Sequence, residues 1–137
     1  MRITVDTNVL ISATFWLGDS HKIIELAEQK KIDLILSEAI IEEYRDVLNY
    51  AEIQEKAKNK NLAMQWSVQK IFSLSKIVIP QRKVFVVHDD PDDNAILECA
   101  LAGNVDYLIT QDHHLLRLKA FEAIKILTPR EFLQLLS

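Results

Sequence analysis

The first eight residues, Met1-Arg2-Ile3-Thr4-Val5-Asp6-Thr7-Asn8, place a short β-rich run almost at the start of the chain and end it on three polar side chains. Ile3, Thr4 and Val5 read as a central strand whose carboxyl end delivers Asp6, Thr7 and Asn8. A helix is expected next, with Ser20 capping His21 to Gln29 and Ile23, Ile24, Leu26 and Ala27 forming its apolar stripe. The run IDLIL at 32–36 gives a second buried strand, and Ser37 can cap the helix after it. There Ile40, Ile41, Tyr44, Val47 and Leu48 recur at three- and four-residue spacing, which marks a core-facing side. A further amphipathic helix is predicted over about 62–75, with Met64, Val68, Ile71 and Phe72 inward, Trp66 to one side and Pro80 marking its exit.

The second half repeats the alternation. VFVV at 84–87 reads as a strand, followed by a helix from Asp93 to Ala102, the strand YLIT at 107–110, a short helix around 114–119 and the strand AIKIL at 123–127. Thr128 as N-cap, Pro129 at the first helical position and Glu131 two residues later predict a capping box at the head of the last helix. Short, doubly apolar strands alternating with helices predict an α/β fold, a parallel sheet of about five strands covered on both faces. No linker, internal repeat or low-complexity tract interrupts the pattern, so residues 1–137 are expected to form one domain.

Composition removes several chemistries. Gly18 and Gly103 are the two glycines, so the glycine-rich phosphate loops of dinucleotide-binding and P-loop proteins cannot be built. Cys99 is the single cysteine, which excludes an internal disulfide and is expected to fill the core beside Ile96 and Ala100. The start resembles no signal peptide and no apolar run approaches the roughly 20 residues that span a bilayer, so a cytoplasmic protein without a membrane segment is expected.

In an open parallel sheet, ligands sit at the carboxyl ends of the strands. The residues expected there are acids: Asp6, the run Asp89, Asp90, Asp92 and Asp93 with Asn94, and Asp112 after Thr110 and Gln111. Glu42 and Glu43 lie early in the helix after IDLIL, close to the same rim. Carboxylates gathered from separate segments repel and raise one another's pKa unless a cation compensates them. Hard divalent ions such as Mg²⁺ or Mn²⁺ suit that set and leave positions for a phosphate. Zinc is the poorer reading, because Cys99 stands alone and His21, His88, His113 and His114 lack zinc-ligand spacing. His113 and His114 are expected at the surface or in packing, Thr7, Asn8, Ser37 and Thr110 as hydrogen-bonding support, and one of Asp89, Asp90 and Asp92 as a helix cap. The 16 lysines and arginines against 20 acids give a net charge of -4. Between residues 54 and 83, however, Lys56, Lys58, Lys60, Lys70, Lys76, Arg82 and Lys83 face Glu55 alone, a basic segment able to meet a phosphate backbone.

Five motifs together, DTNVLISA at 6–13, SEAIIEEYRDVL at 37–48, DPDDNAILECALAG at 90–103, YLITQDHHLL at 107–116 and ILTPREFLQLL at 126–136, resemble those of PIN domains. The resemblance covers essentially the whole chain and is closest to the bacterial and archaeal branch of toxin components of toxin-antitoxin pairs, the VapC-like ribonucleases. It implies a three-layer α/β/α sandwich and a Mg²⁺- or Mn²⁺-dependent endoribonuclease acting on single-stranded or loop RNA. Carried across position by position, the family acids fall on Asp6, Glu43 (with Glu42 as neighbour and alternative), Asp93 and Asp112, as catalytic residues and metal ligands, with Asn8 and Thr110 in support. Gln111 departs from the small or basic residue common at its position. The resemblance also implies an antitoxin partner and a homodimer. The rival readings of the same residues are a solitary RNA-processing nuclease and a non-catalytic metal-binding or protein-interaction module. A haloacid-dehalogenase phosphatase with Asp6 as nucleophile would need a second acid two residues on, where Asn8 stands.

Overall fold

The computed structural model describes residues 1–50, 53, 55, 61–87 and 91–137. Among them six strands make one sheet: β1 (Arg2–Val5), β2 (Asp33–Ser37), β3 (Lys76–Val78), β4 (Tyr107–Ile109), β5 (Ala120–Phe121) and β6 (Ile124–Leu127), in the spatial order β3-β2-β1-β4-β6-β5. Every pair is parallel except β5 with β6, so the sheet carries one short antiparallel edge beyond the five strands expected. Seven described helices connect them: α1 (Thr7–Phe15), α2 (Asp19–Glu28), α3 (Glu38–Leu48), α4 (Asn61–Leu74), α5 (Pro91–Ala102), α6 (His113–Leu116) and α7 (Pro129–Leu136).

β1 is the centre of the sheet, as its sequence predicts. Ile3, Thr4 and Val5, and Leu34, Ile35 and Leu36 beside them, are all buried. Successive strand residues point to opposite faces, so burial of every one means that both faces are covered. On one face lies α5, which packs on β1, β2 and β4 and meets Thr4 Oγ1 through Cys99 Sγ at 3.6 Å. Cys99 is core, as expected. Its neighbour in space, Gly103, allows this close approach: a Cβ there would stand 2.5 Å from Ile35 Cγ2. The capping box of α7 forms as read, with Thr128 Oγ1 accepting from Glu131 N–H and the Glu131 carboxylate accepting from Thr128 N–H. Ser37 caps α3, whose buried side carries Ile40, Tyr44 and Leu48.

Four readings need correction. VFVV at 84–87 is not a strand, and the strand at the β2 edge of the sheet is β3, between the helix end and Pro80. Val84 and Val87 are buried while Phe85 and Val86 face outward, and their backbone is satisfied by α5 side chains rather than by a ladder. Val84 N–H donates to Glu98 Oε2 at 3.0 Å, and Asn94 both accepts from Val87 N–H and donates to Val87 C=O. Apolar β-branched residues mark burial, and here a helix provides it instead of a strand. Second, α1 intervenes before the helix expected from His21; it is buried at six of its nine positions, Thr7 among them, with polar residues interspersed, so no amphipathic period announces it. Third, Ser20 is a buried residue inside α2 rather than its cap, the N-cap being Gly18. Fourth, α6 ends at Leu116, short of the helix expected around 114–119. Lys56, Lys58, Lys60, His88, Asp89 and Asp90, and the side chains of Met64 and Trp66, lie outside the described residues.

Candidate active site

The chain leaves β1 toward β2 on one side and later places β4 on the other, so the strand order reverses at β1 and opens a crevice at the carboxyl ends of β1 and β4. Register fixes what stands there. Val5 is level with Ile109, so the next residues, Asp6 and Thr110, meet across the strand pair. Thr110 Oγ1 donates to Asp6 Oδ2 and accepts from Asp112 N–H at 3.0 Å. One hydroxyl thereby ties the acid after β1 to the loop carrying the acid after β4.

Each acid also has a local structural job. Asp6 is the N-cap of α1, its Oδ1 accepting from Val9 N–H at 2.9 Å. Asp112 caps α6, accepting from His114 N–H at 2.8 Å. The cap reading and the site reading are therefore compatible: capping fixes one oxygen of each carboxylate and orients the other. Asp93 stands in the first turn of α5 and is buried, while Asp92 beside it is exposed on the same rim. Glu43 lies one turn beyond Ile40 on α3, so both face the crevice; Glu42 points to solvent.

The crevice is a polar cleft with about 60 Å³ of solvent-sized space, lined by Asp6, Thr7, Asn8, Glu43, Asp92, Asp93 and Asp112 over Ile40 and Ile96. That is room for an ion and a few waters. Burial pushes the Asp6 carboxyl above the ordinary range; the bonds from Thr110 and Val9 pull it back, and the charge of Asp112 pushes it up again. A cation would relieve both the desolvation and the repulsion. Thr7 Oγ1, buried in the same cleft, has no hydrogen-bond partner among the described residues, so an oxygen donor is held where a hydrated ion or a water would use it. The donors thus fit a hard divalent ion.

His114 is the residue that sequence reading missed. Its Nδ1 lies 3.8 Å from both Asp93 Oδ2 and Asp112 Oδ1. One ligand atom each from Asp93, Asp112 and His114 lie within 4.8 Å of one another. The signal was its place two residues after Asp112, which puts it in the first turn of the helix that Asp112 caps. Ser37, by contrast, serves as the cap of α3 and does not line the cleft.

The model of the PIN domain family matches residues 2–114. Among solved structures, the crystal structure of PAE2754 from Pyrobaculum aerophilum is similar over 98% of this chain and 89% of that one, with a TM-score of 0.61 and 17% identity, a likeness of fold. No curated protein matches. No described helix is long and apolar enough to cross a membrane. A parallel sheet with an acidic cleft at its switch point and a family match over most of its length agree: the chain belongs to the PIN domain family, whose members are generally nucleases.

Proposed function

We propose that this chain is a Mg²⁺- or Mn²⁺-dependent endoribonuclease that hydrolyses phosphodiester bonds in single-stranded or loop RNA, and that it is the toxin of a toxin-antitoxin pair. The observation that carries the hydrolase reading is the convergence of Asp6, Glu43, Asp93 and Asp112 on one cleft from four separate segments. The RNA substrate and the toxin role rest on the motif resemblance.

In this reading Asp6, Asp93 and Asp112 hold the ion, with His114 at the rim, and Glu43 holds a second ion or accepts a hydrogen bond from the attacking water. When bound, the ion supplies Lewis acidity toward that water and neutralises phosphate charge. Thr110 keeps the Asp6 carboxylate in place and fixes the approach of Asp112. The Ile40 and Ile96 floor lowers the local dielectric, which strengthens the charge interactions above it. Water attack on phosphorus leaves a 3′-hydroxyl and a 5′-phosphate and does not use the ribose 2′-hydroxyl, so preference for RNA is a matter of binding. A small antitoxin that covers the cleft, and a homodimer, complete the proposal.

The test is cleavage of a structured RNA with single-stranded loops by the purified chain. The expected result is cutting that needs Mg²⁺ or Mn²⁺, stops with chelator, leaves 5′-phosphates and disappears in Asp6→Asn. Undiminished cutting by Asp6→Asn would remove the assigned site. A reading frame directly upstream for a small DNA-binding protein, co-purifying with this chain, is the expected finding for the toxin role.

A further inference from the structure

Beside the acid cleft, on the same two helices, lies a second and larger depression. It has a volume of about 440 Å³, inside the roughly 300–1,000 Å³ that small-molecule sites span. On α5, Asp93 and Ile96 face the cleft while Ala95 and Glu98 face this groove; on α3, Ile40 faces the cleft and Ala39 the groove. The outer wall is the 83–87 stretch, pinned to α5 by the bonds from Glu98 and Asn94. That pinning buries Val84 and Val87 and turns Phe85 outward, the residue 75% exposed at the groove beside Lys83.

We infer that this groove is a nucleobase subsite: it takes one unpaired base of single-stranded RNA, next to the phosphodiester held in the acid cleft, stacked on Phe85. The occupant is set by continuity and by charge. A strand whose phosphate lies in the cleft carries its neighbouring nucleotide across the step from Ile40 to Ala39 on α3 and from Asp93 to Ala95 on α5, one and two residues apart. An apolar floor with an exposed aromatic ring stacks any base, and the ammonium of Lys83 meets the flanking phosphate. Glu98 gives one carboxylate oxygen to Val84 N–H, which leaves the other to accept a hydrogen bond from the occupant. Adenine, cytosine and guanine offer an exocyclic amino group to it; uracil does not. The inference rests on the nuclease reading of the cleft.

The test uses single-stranded RNA oligomers carrying 2-aminopurine at each position in turn, bound with Mg²⁺ present to the full chain carrying Asp6→Asn so that the RNA stays intact. Stacking on Phe85 predicts fluorescence quenching at one position. Adding Phe85→Ala should abolish it and raise the Kd about 5- to 150-fold, whereas Phe85→Trp should restore both. An abasic spacer at that position should weaken binding to the Phe85 form and add nothing in Phe85→Ala. Oligo-A should bind more tightly than oligo-U, by a margin that Glu98→Gln narrows. RNA affinity and quenching unchanged within twofold in Phe85→Ala would overturn the subsite, as would a groove that takes a peptide or a second copy and leaves RNA binding untouched. Cleavage by the chain with Asp6 intact separates the two claims. Cutting without Phe85 dependence keeps the nuclease and removes the subsite; Phe85-dependent quenching without cutting keeps the subsite and removes the nuclease.

Discussion

The acid cleft and the groove beside it are built on the same two helices, α3 and α5, from residues one or two positions apart, yet they share almost no chemistry. The cleft is small, polar and closed by a hydroxyl bridge between two strand ends. The groove is several times larger, mostly apolar, and walled by a segment that belongs to no strand. The difference comes from helical geometry. Adjacent helix residues point about 100° apart, so one pair of helices can offer carboxylates to one side and a platform to the other. In the proposed nuclease the cleft does the chemistry and the groove holds the nucleotide, so their substitutions should separate into losses of kcat and losses of KM.

The largest effect belongs to the cleft. Asp93→Asn should lower kcat by more than about 100-fold while leaving RNA affinity nearly intact, measured by single-turnover cleavage beside equilibrium binding. Thr110→Val removes the hydroxyl that both donates to Asp6 and receives Asp112 N–H. It should cost about 10- to 100-fold in activity, with a matching loss of divalent-ion affinity. Phe85→Ala should act in the opposite column, on KM.

These two regions also differed in how far the sequence disclosed them. The cleft was legible because strand ends and first helical turns are recognisable places, and acids there, at Asp6, Asp93 and Asp112, need a reason to exist. Between Glu42 and Glu43 the residues left both open and only the motif resemblance favoured Glu43; the fold separates them, with Glu43 lining the cleft beside Ile40 and Glu42 exposed. The groove was not legible. Its wall, VFVV, carries the apolar β-branched signal of a strand, and only the side chains of Glu98 and Asn94 on a helix later in the chain reveal that α5 satisfies its backbone instead. His114 escaped for a related reason: its two carboxylate neighbours come from α5 and from the turn before α6, a meeting that only the tertiary fold brings about.

Protonation sharpens the contrast further, because Asp6 pays for its position with burial. Its raised pKa means that the folded, metal-free chain holds the proton more tightly than the unfolded chain does. That contribution to stability is full below the ordinary carboxylate range and is lost as pH rises through the raised value. Thermal melts in chelator should therefore show the parent losing stability as pH climbs from acid toward neutral. Asp6→Asn should flatten that dependence and melt higher than the metal-free parent at neutral pH. Added Mg²⁺ or Mn²⁺ should raise the melting temperature of the parent more than that of Asp6→Asn. The smallest effect is expected outside both regions: Glu42→Gln should stay within about twofold of the parent in cleavage, while Glu43→Gln falls at least about 10-fold.

The central claim is that acids from β1, α3, α5 and the turn after β4 form one divalent-ion centre. Direct titration of Mn²⁺ into the metal-free chain, followed by calorimetry or by the electron paramagnetic resonance of free Mn²⁺, tests it without reference to any substrate. Saturable binding that is lost in Asp93→Asn and weakened in Thr110→Val is the predicted result. Mn²⁺ binding of equal affinity and stoichiometry in the parent and in Asp93→Asn would contradict it.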